Sequence, residues 1–207
     1  MNIIKVASAT FFIAQTLMKP THTKFLSRYE AELLSKVSIA ARSGEVVFGA
    51  ERFVHASKLE PSTIALISIN SPDSNDPKEL HLRAGDDGLP QVSGFWNPLM
   101  LMFHDIDPSG CGDEFLQNYI LFDDDMASRV LDYLIKMEQT ENVRACWSHC
   151  QAGISRSAGV AKFIADIYKL WYPETYRLYN KHVYSTLRSV YNSRILTNKP
   201  TPGILHL

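Results

Sequence analysis

A strand candidate that runs through a glycine-bearing loop into an amphipathic helix constrains this chain more than any other feature. Residues 143–148 form a short, partly polar strand candidate, and residues 149–157 read His-Cys-Gln-Ala-Gly-Ile-Ser-Arg-Ser. From Ser157 onward Val160, Phe163, Ile164, Ile167 and Trp171 recur at three- and four-residue steps, which predicts a helix with one buried face, stopped by Pro173. A strand feeding a helix that packs back on its own sheet is the unit of a parallel sheet.

The rest of the chain repeats this alternation. Residues 64–69 (Ile-Ala-Leu-Ile-Ser-Ile) and 46–48 (Val-Val-Phe) are apolar runs bounded by turn formers, as buried strands are. Residues 99–103 form another strand candidate, which ends in His104-Asp105-Ile106-Asp107 before Pro108-Ser109-Gly110 breaks the chain. Ser27-Arg28-Tyr29-Glu30 has the form of a capping box opening a helix to about Lys36. Asp123, Asp124 and Asp125 can cap a helix whose apolar face is Met126, Val130, Leu131, Leu134 and Ile135. A last helix is expected over 176–191, with Val183, Leu187 and Val190 inward. Residues 71–98, rich in Asp, Pro, Gly and Ser, read as a long connection with one possible strand at 80–82. The expectation is an α/β fold: one domain over 1–207, with an extension over 1–20 and a core over about 21–195. A mostly parallel central sheet would carry helices on both faces, with sites at the strands' carboxyl ends.

Composition narrows the partners. A formal net charge of −1 with no basic cluster offers no field for nucleic acid or an anionic membrane, and a monomer is the expected state. The apolar stretch 1–18 is interrupted by Ser8, Thr10, Gln15 and Thr16, so a packed segment is expected there in preference to a secretory signal or membrane span. Three cysteines, Cys111, Cys146 and Cys150, suit neither a disulfide framework nor a zinc site. A reducing, cytoplasmic setting follows, with no cofactor and no metal expected.

Loop 149–157 has the makings of an oxyanion cradle. The backbone N–H groups of Gln151, Ala152, Gly153, Ile154 and Ser155 can converge on a phosphate without side-chain bulk, and the helix N-terminus behind them favours negative charge. Gly153 permits a positive φ or a close backbone approach. Arg156 adds a planar fork able to hold two phosphate oxygens. Such surroundings also favour the thiolate form of a cysteine, so Cys150 can serve as nucleophile toward a phosphate ester. The departing oxygen then needs a proton, which Asp105 or Asp107 could donate, and Ser157 can hydrogen-bond the sulfur as it leaves.

The pattern H-C-x-x-G-x-x-R-S resembles the signature of the protein tyrosine phosphatase superfamily. Within it the chain is similar to small dual-specificity-like members, including bacterial proteins described as predicted tyrosine phosphatases. The likeness covers about residues 27–191 and takes in Ser27-Arg28-Tyr29-Glu30-Ala31-Glu32, residues 64–69, Phe103-His104-Asp105-Ile106, Ala158-Gly159-Val160-Ala161 and Asn180-Lys181-His182-Val183. It implies Cys150 as nucleophile, Arg156 as phosphate clamp and Asp105 as general acid, with His149 and Ser157 tuning the sulfur. The implied activity is hydrolysis of phosphate monoesters, on phosphotyrosine and also phosphoserine or phosphothreonine proteins or small esters. Three departures stand out. Arg144-Ala145-Cys146-Trp147-Ser148 is more polar than the family's strand, the loop from Asp105 to the Asp123 helix is longer than in compact members, and no lysine lies between Cys150 and Arg156. The last removes the extra charge typical of phosphoinositide-selective relatives, and the second leaves Asp107 and Asp113 as alternative acids.

Other readings of the same residues lead elsewhere. A lone cysteine is commonly a small buried hydrophobe, and His149 could simply be a satisfied core histidine. Cys146 lies four extended residues, roughly 13 Å, from Cys150, too far for a disulfide within one strand, so a core role is expected. Cys111 could approach Cys150 reversibly or be an incidental surface thiol. Rival functions are a phospho-binding module without turnover, a nucleic-acid 5′ phosphatase, and sulfur transfer or arsenate reduction.

Overall fold

Every residue of Ile64–Asn70 is buried, as expected of a strand covered on both faces, and this strand anchors the sheet. The computed structural model describes residues 19–27, 29–31, 34, 61–72 and 94–197. Their strands are β1 (His22–Ser27), β2 (Ile64–Asn70), β3 (Trp96–Met102) and β4 (Ala145–Cys150). They form a parallel sheet in the order β1-β4-β2-β3. Register pairs Ser27 with Cys150 and Ser68 with His149, so three carboxyl ends lie level around Cys150. The described residues therefore form an α/β fold whose four strands are all parallel.

The described helices are α1 (Asp113–Leu116), α2 (Asp124–Glu138), α3 (Arg156–Tyr168) and α4 (Lys181–Leu196). Alternate strand residues Ala65, Ile67, Ile69, Cys146 and Cys150 share one core with Val130, Leu131 and Leu134 of α2, Val160, Phe163 and Ile164 of α3, and Val183 and Leu187 of α4. Burying each large aliphatic side chain there contributes about 1.5–3 kcal/mol. The opposite face, Ile64, Leu66, Ala145 and Trp147, packs with Leu26, Phe95 and Leu34, the last in helical conformation. The expected two-sided covering thus has α2, α3 and α4 on one face, and on the other the described contribution is Leu34 and Phe95. Among the described residues no helix is long and apolar enough to cross a membrane.

Several expectations hold in detail. Ser27 N donates to Glu30 Oε2 at 2.7 Å and Glu30 N to Ser27 Oγ at 3.3 Å, forming the capping box, and residues 29–31 and 34 are helical. Asp123 caps α2 by accepting from Met126 N at 2.8 Å. Capping is therefore the role its described contacts give Asp123.

Others need correction. Strand β1 was not read from the sequence, because His-Thr-Lys-Phe-Leu-Ser lacks the apolar run of a central strand, and it lies at the edge of the described sheet. Strand β3 begins at Trp96, three residues early; Pro98 and the positive φ of Asn97 disguise it, and the register shifts between Ala65 and Ile67 beside them. Pro173 does not stop α3. Lys169 does, by turning left-handed (φ 59°) so that Leu170 N reaches Ala165 O at 2.9 Å, and this leaves Trp171 80% exposed instead of on the buried stripe. The final helix starts at Lys181, not 176, because Asn180 caps it by accepting from Val183 N at 3.0 Å. Short helix α1 was not expected within its loop. The candidate strands at 46–48 and 80–82 and the segment 1–18 lie outside the described residues.

Candidate active site

Cys150 ends the central strand β4, is 2% exposed, and its Sγ lies 3.1 Å from Ser157 Oγ, itself buried in the first turn of α3. A second serine braces that turn, since Ser148 Oγ donates to Ser157 O at 2.8 Å. Burial pushes the Cys146 thiol far above its ordinary value, as suits an inert core residue. All three cysteines are free, and Cys111 Sγ reaches the Asp107 carbonyl at 3.6 Å.

Arg156, 4% exposed, opens α3 and is held by contacts to Phe103. Its Nη1 donates to Phe103 O at 2.7 Å, with the guanidinium carbon 5.9 Å from the Phe103 ring centre. Its Nε is buried without a hydrogen-bond partner among the described residues. An unsatisfied buried donor costs about 1–3 kcal/mol, which an oxyanion beside it would offset.

Between these two residues the loop passes so close to β1 that only glycine fits at position 153. Gly153 has φ 68°, and a Cβ there would lie 2.3 Å from Ser27 N and 2.5 Å from Leu26 C, both backbone atoms. Gln151, Ala152 and Ile154 face solvent. Tyr176, in contact with the Phe25 ring at 4.9 Å, donates from its hydroxyl to Ile154 O at 2.6 Å and fastens the loop's outer edge. Burial above all raises the Tyr176 hydroxyl above its ordinary value, and its nearness to Cys150 adds to this.

The three candidate acids separate clearly. Asp105 is brought to the loop: its Oδ1 accepts from Ser155 Oγ at 2.8 Å and from Asn180 Nδ2 at 2.9 Å. Asp107 instead turns back on Ser109, accepting from its hydroxyl at 2.7 Å and its amide at 3.1 Å. Those hydrogen bonds, hydroxyl first, hold the Asp107 carboxyl below the usual carboxylate range, aided by His182 and Lys181. Asp113 is exposed at the start of α1, with no described bond to the loop.

His149 is 1% exposed, and its Nε2 lies 2.8 Å from Ser68 Oγ on β2. Ser68, Asn180, Tyr176 and the Phe103 carbonyl were not singled out for the site from the sequence. In the sequence Ser68 stood out only as part of the apolar run 64–69, and Asn180 only as part of the stretch Asn180-Lys181-His182-Val183. Comparison of the chain with protein-family models, curated proteins and solved structures finds no match in any of the three.

Proposed function

We propose that the chain is a cysteine-dependent phosphatase of the protein tyrosine phosphatase type, in fold as in chemistry, that hydrolyses phosphate monoesters through a cysteinyl-phosphate. Its foremost substrate class is phosphotyrosine, then phosphoserine or phosphothreonine proteins. The observation that carries this reading is one loop with a buried thiol at one end, Cys150, and an unsatisfied guanidinium N–H at the other, Arg156 Nε.

The ester phosphate sits against the amides of residues 151–155 and the first turn of α3, where Arg156 takes two of its oxygens. The Cys150 thiolate forms an S–P bond as the P–O bond to the leaving group breaks, and Asp105 gives that oxygen a proton. Water then forms a new P–O bond, Asp105 takes its proton, and the S–P bond breaks. Ser157 Oγ, 3.1 Å from Sγ, donates to the sulfur and eases its departure. Asp105 is preferred as the acid because it bonds the loop, whereas Asp107 turns away to Ser109, whose hydrogen bonds keep its carboxyl below the usual carboxylate range.

Cys150→Ser tests the reading. It removes the nucleophile but keeps the cradle and Arg156, so multiple turnover should vanish while a phosphate ester still binds, and acid quenching of the unsubstituted protein should trap phosphate on Cys150. Turnover by the variant would overturn the assignment.

A further inference from the structure

One buried residue joins the acid loop, the 149–157 loop and α4. Asn180, 5% exposed, donates from Nδ2 to Asp105 Oδ1 at 2.9 Å and reaches Ile106 O at 3.5 Å. Its backbone N donates to Ser155 O at 3.0 Å, and its Oδ1 accepts the α4 cap bond from Val183 N at 3.0 Å. The cap determines the amide's orientation, because turning it over would set the carbonyl oxygen against the Asp105 carboxylate and the NH2 against the Val183 N–H. Ser155 Oγ adds a second donor to the same Asp105 oxygen at 2.8 Å. Among the described residues Asp105 Oδ2 has no hydrogen-bond partner.

We infer that Asn180 is the positioning residue for the phosphoryl-transfer acid, holding Asp105 by Oδ1, with Ser155, so that Oδ2 carries the proton. This rests on the phosphatase reading above. Asp105 is an exposed side chain that would otherwise sample several rotamers, and a reacting group held in one geometry gains greatly over a mobile one. In the first step the Oδ2–H bond breaks as the leaving oxygen takes the proton and the S–P bond replaces the P–O bond. In the second, water's proton returns to Oδ2 as the new P–O bond forms and S–P breaks.

Asn180→Ser separates positioning from capping, since serine caps helices as well as asparagine but supplies no amide donor at that reach. With phenyl phosphate, whose leaving oxygen is basic, kcat should fall by about tenfold or more, whereas with 4-nitrophenyl phosphate it should stay within about twofold. KM and Tm should hold for both. Asn180→Asp, which also keeps a cap, should show the same selective loss. In an Asp105→Asn background, Asn180→Ser should cost phenyl phosphate turnover nothing further. Equal losses on both substrates, no loss on either, or a full further loss in the Asp105→Asn background would overturn the positioning role. If the unsubstituted protein hydrolyses neither ester, the phosphatase reading falls and the positioning role with it. If it does, and Asp105→Asn is selective while Asn180→Ser is not, only the positioning role falls.

Discussion

The thiol of Cys150 and the hydroxyl of Ser157 lie 3.1 Å apart, one at the end of the central strand and the other in the first turn of the helix that follows. The contact is buried and either group can be its donor; toward a Cys150 thiolate the hydroxyl is the one that donates. Ser157→Ala should slow the second chemical step more than the first, because only there does sulfur leave as an anion. Rapid mixing with 4-nitrophenyl phosphate should reveal a burst of nitrophenol followed by a steady rate lowered by roughly 10–100-fold. A uniform slowing without a burst would remove Ser157 from that role.

Arg156→Lys should lower kcat/KM by about 10–100-fold. The guanidinium donates to Phe103 O from Nη1 while Nε remains for a ligand, and an ammonium cannot reproduce both in one plane. Competitive inhibition by vanadate should weaken in parallel. Unchanged kinetics and inhibition would show that Arg156 does not hold the phosphate.

Gly153→Ala should damage the fold as well as the site. Its Cβ would meet Ser27 N at 2.3 Å, and the residue would be left at φ 68°. A destabilisation of about 2–3 kcal/mol is expected, read as a fall in Tm of roughly 5–10 °C. Ile154→Ala, at an exposed neighbour, should leave Tm nearly unchanged.

Asp105→Asn should reduce turnover of an alkyl phosphate by about 100-fold or more and that of a nitrophenyl ester much less, since a good leaving group hardly needs a proton. Asp107→Asn and Asp113→Asn should behave like the parent, because Asp107 is engaged with Ser109 and Asp113 lies at the start of α1. The selective pattern appearing in Asp107→Asn instead would move the acid two residues along the loop.

The order of residues alone determined the local pieces of this protein. The Cys150 loop between strand and helix, the apolar run 64–69, the Ser27–Glu30 capping box and the Asp123 cap all depend on contacts within a few residues, where periodicity and side-chain chemistry act directly. Edges were harder to read. Strand β1 carries little apolar signal and, among the described strands, pairs on one side only, while β3 is masked by Pro98 and by Asn97 at φ 38°. Only the tertiary structure decided which groups meet. Ser155 reaches Asp105 across 50 positions, Asn180 reaches it across 75, and Ser68 reaches His149 across 81. Those meetings follow from the strand order β1-β4-β2-β3, which brings the carboxyl ends of distant segments to one edge of the sheet. Nothing in the local pattern encodes that order, because it is set by the joint burial of both sheet faces and not by any segment's own neighbours.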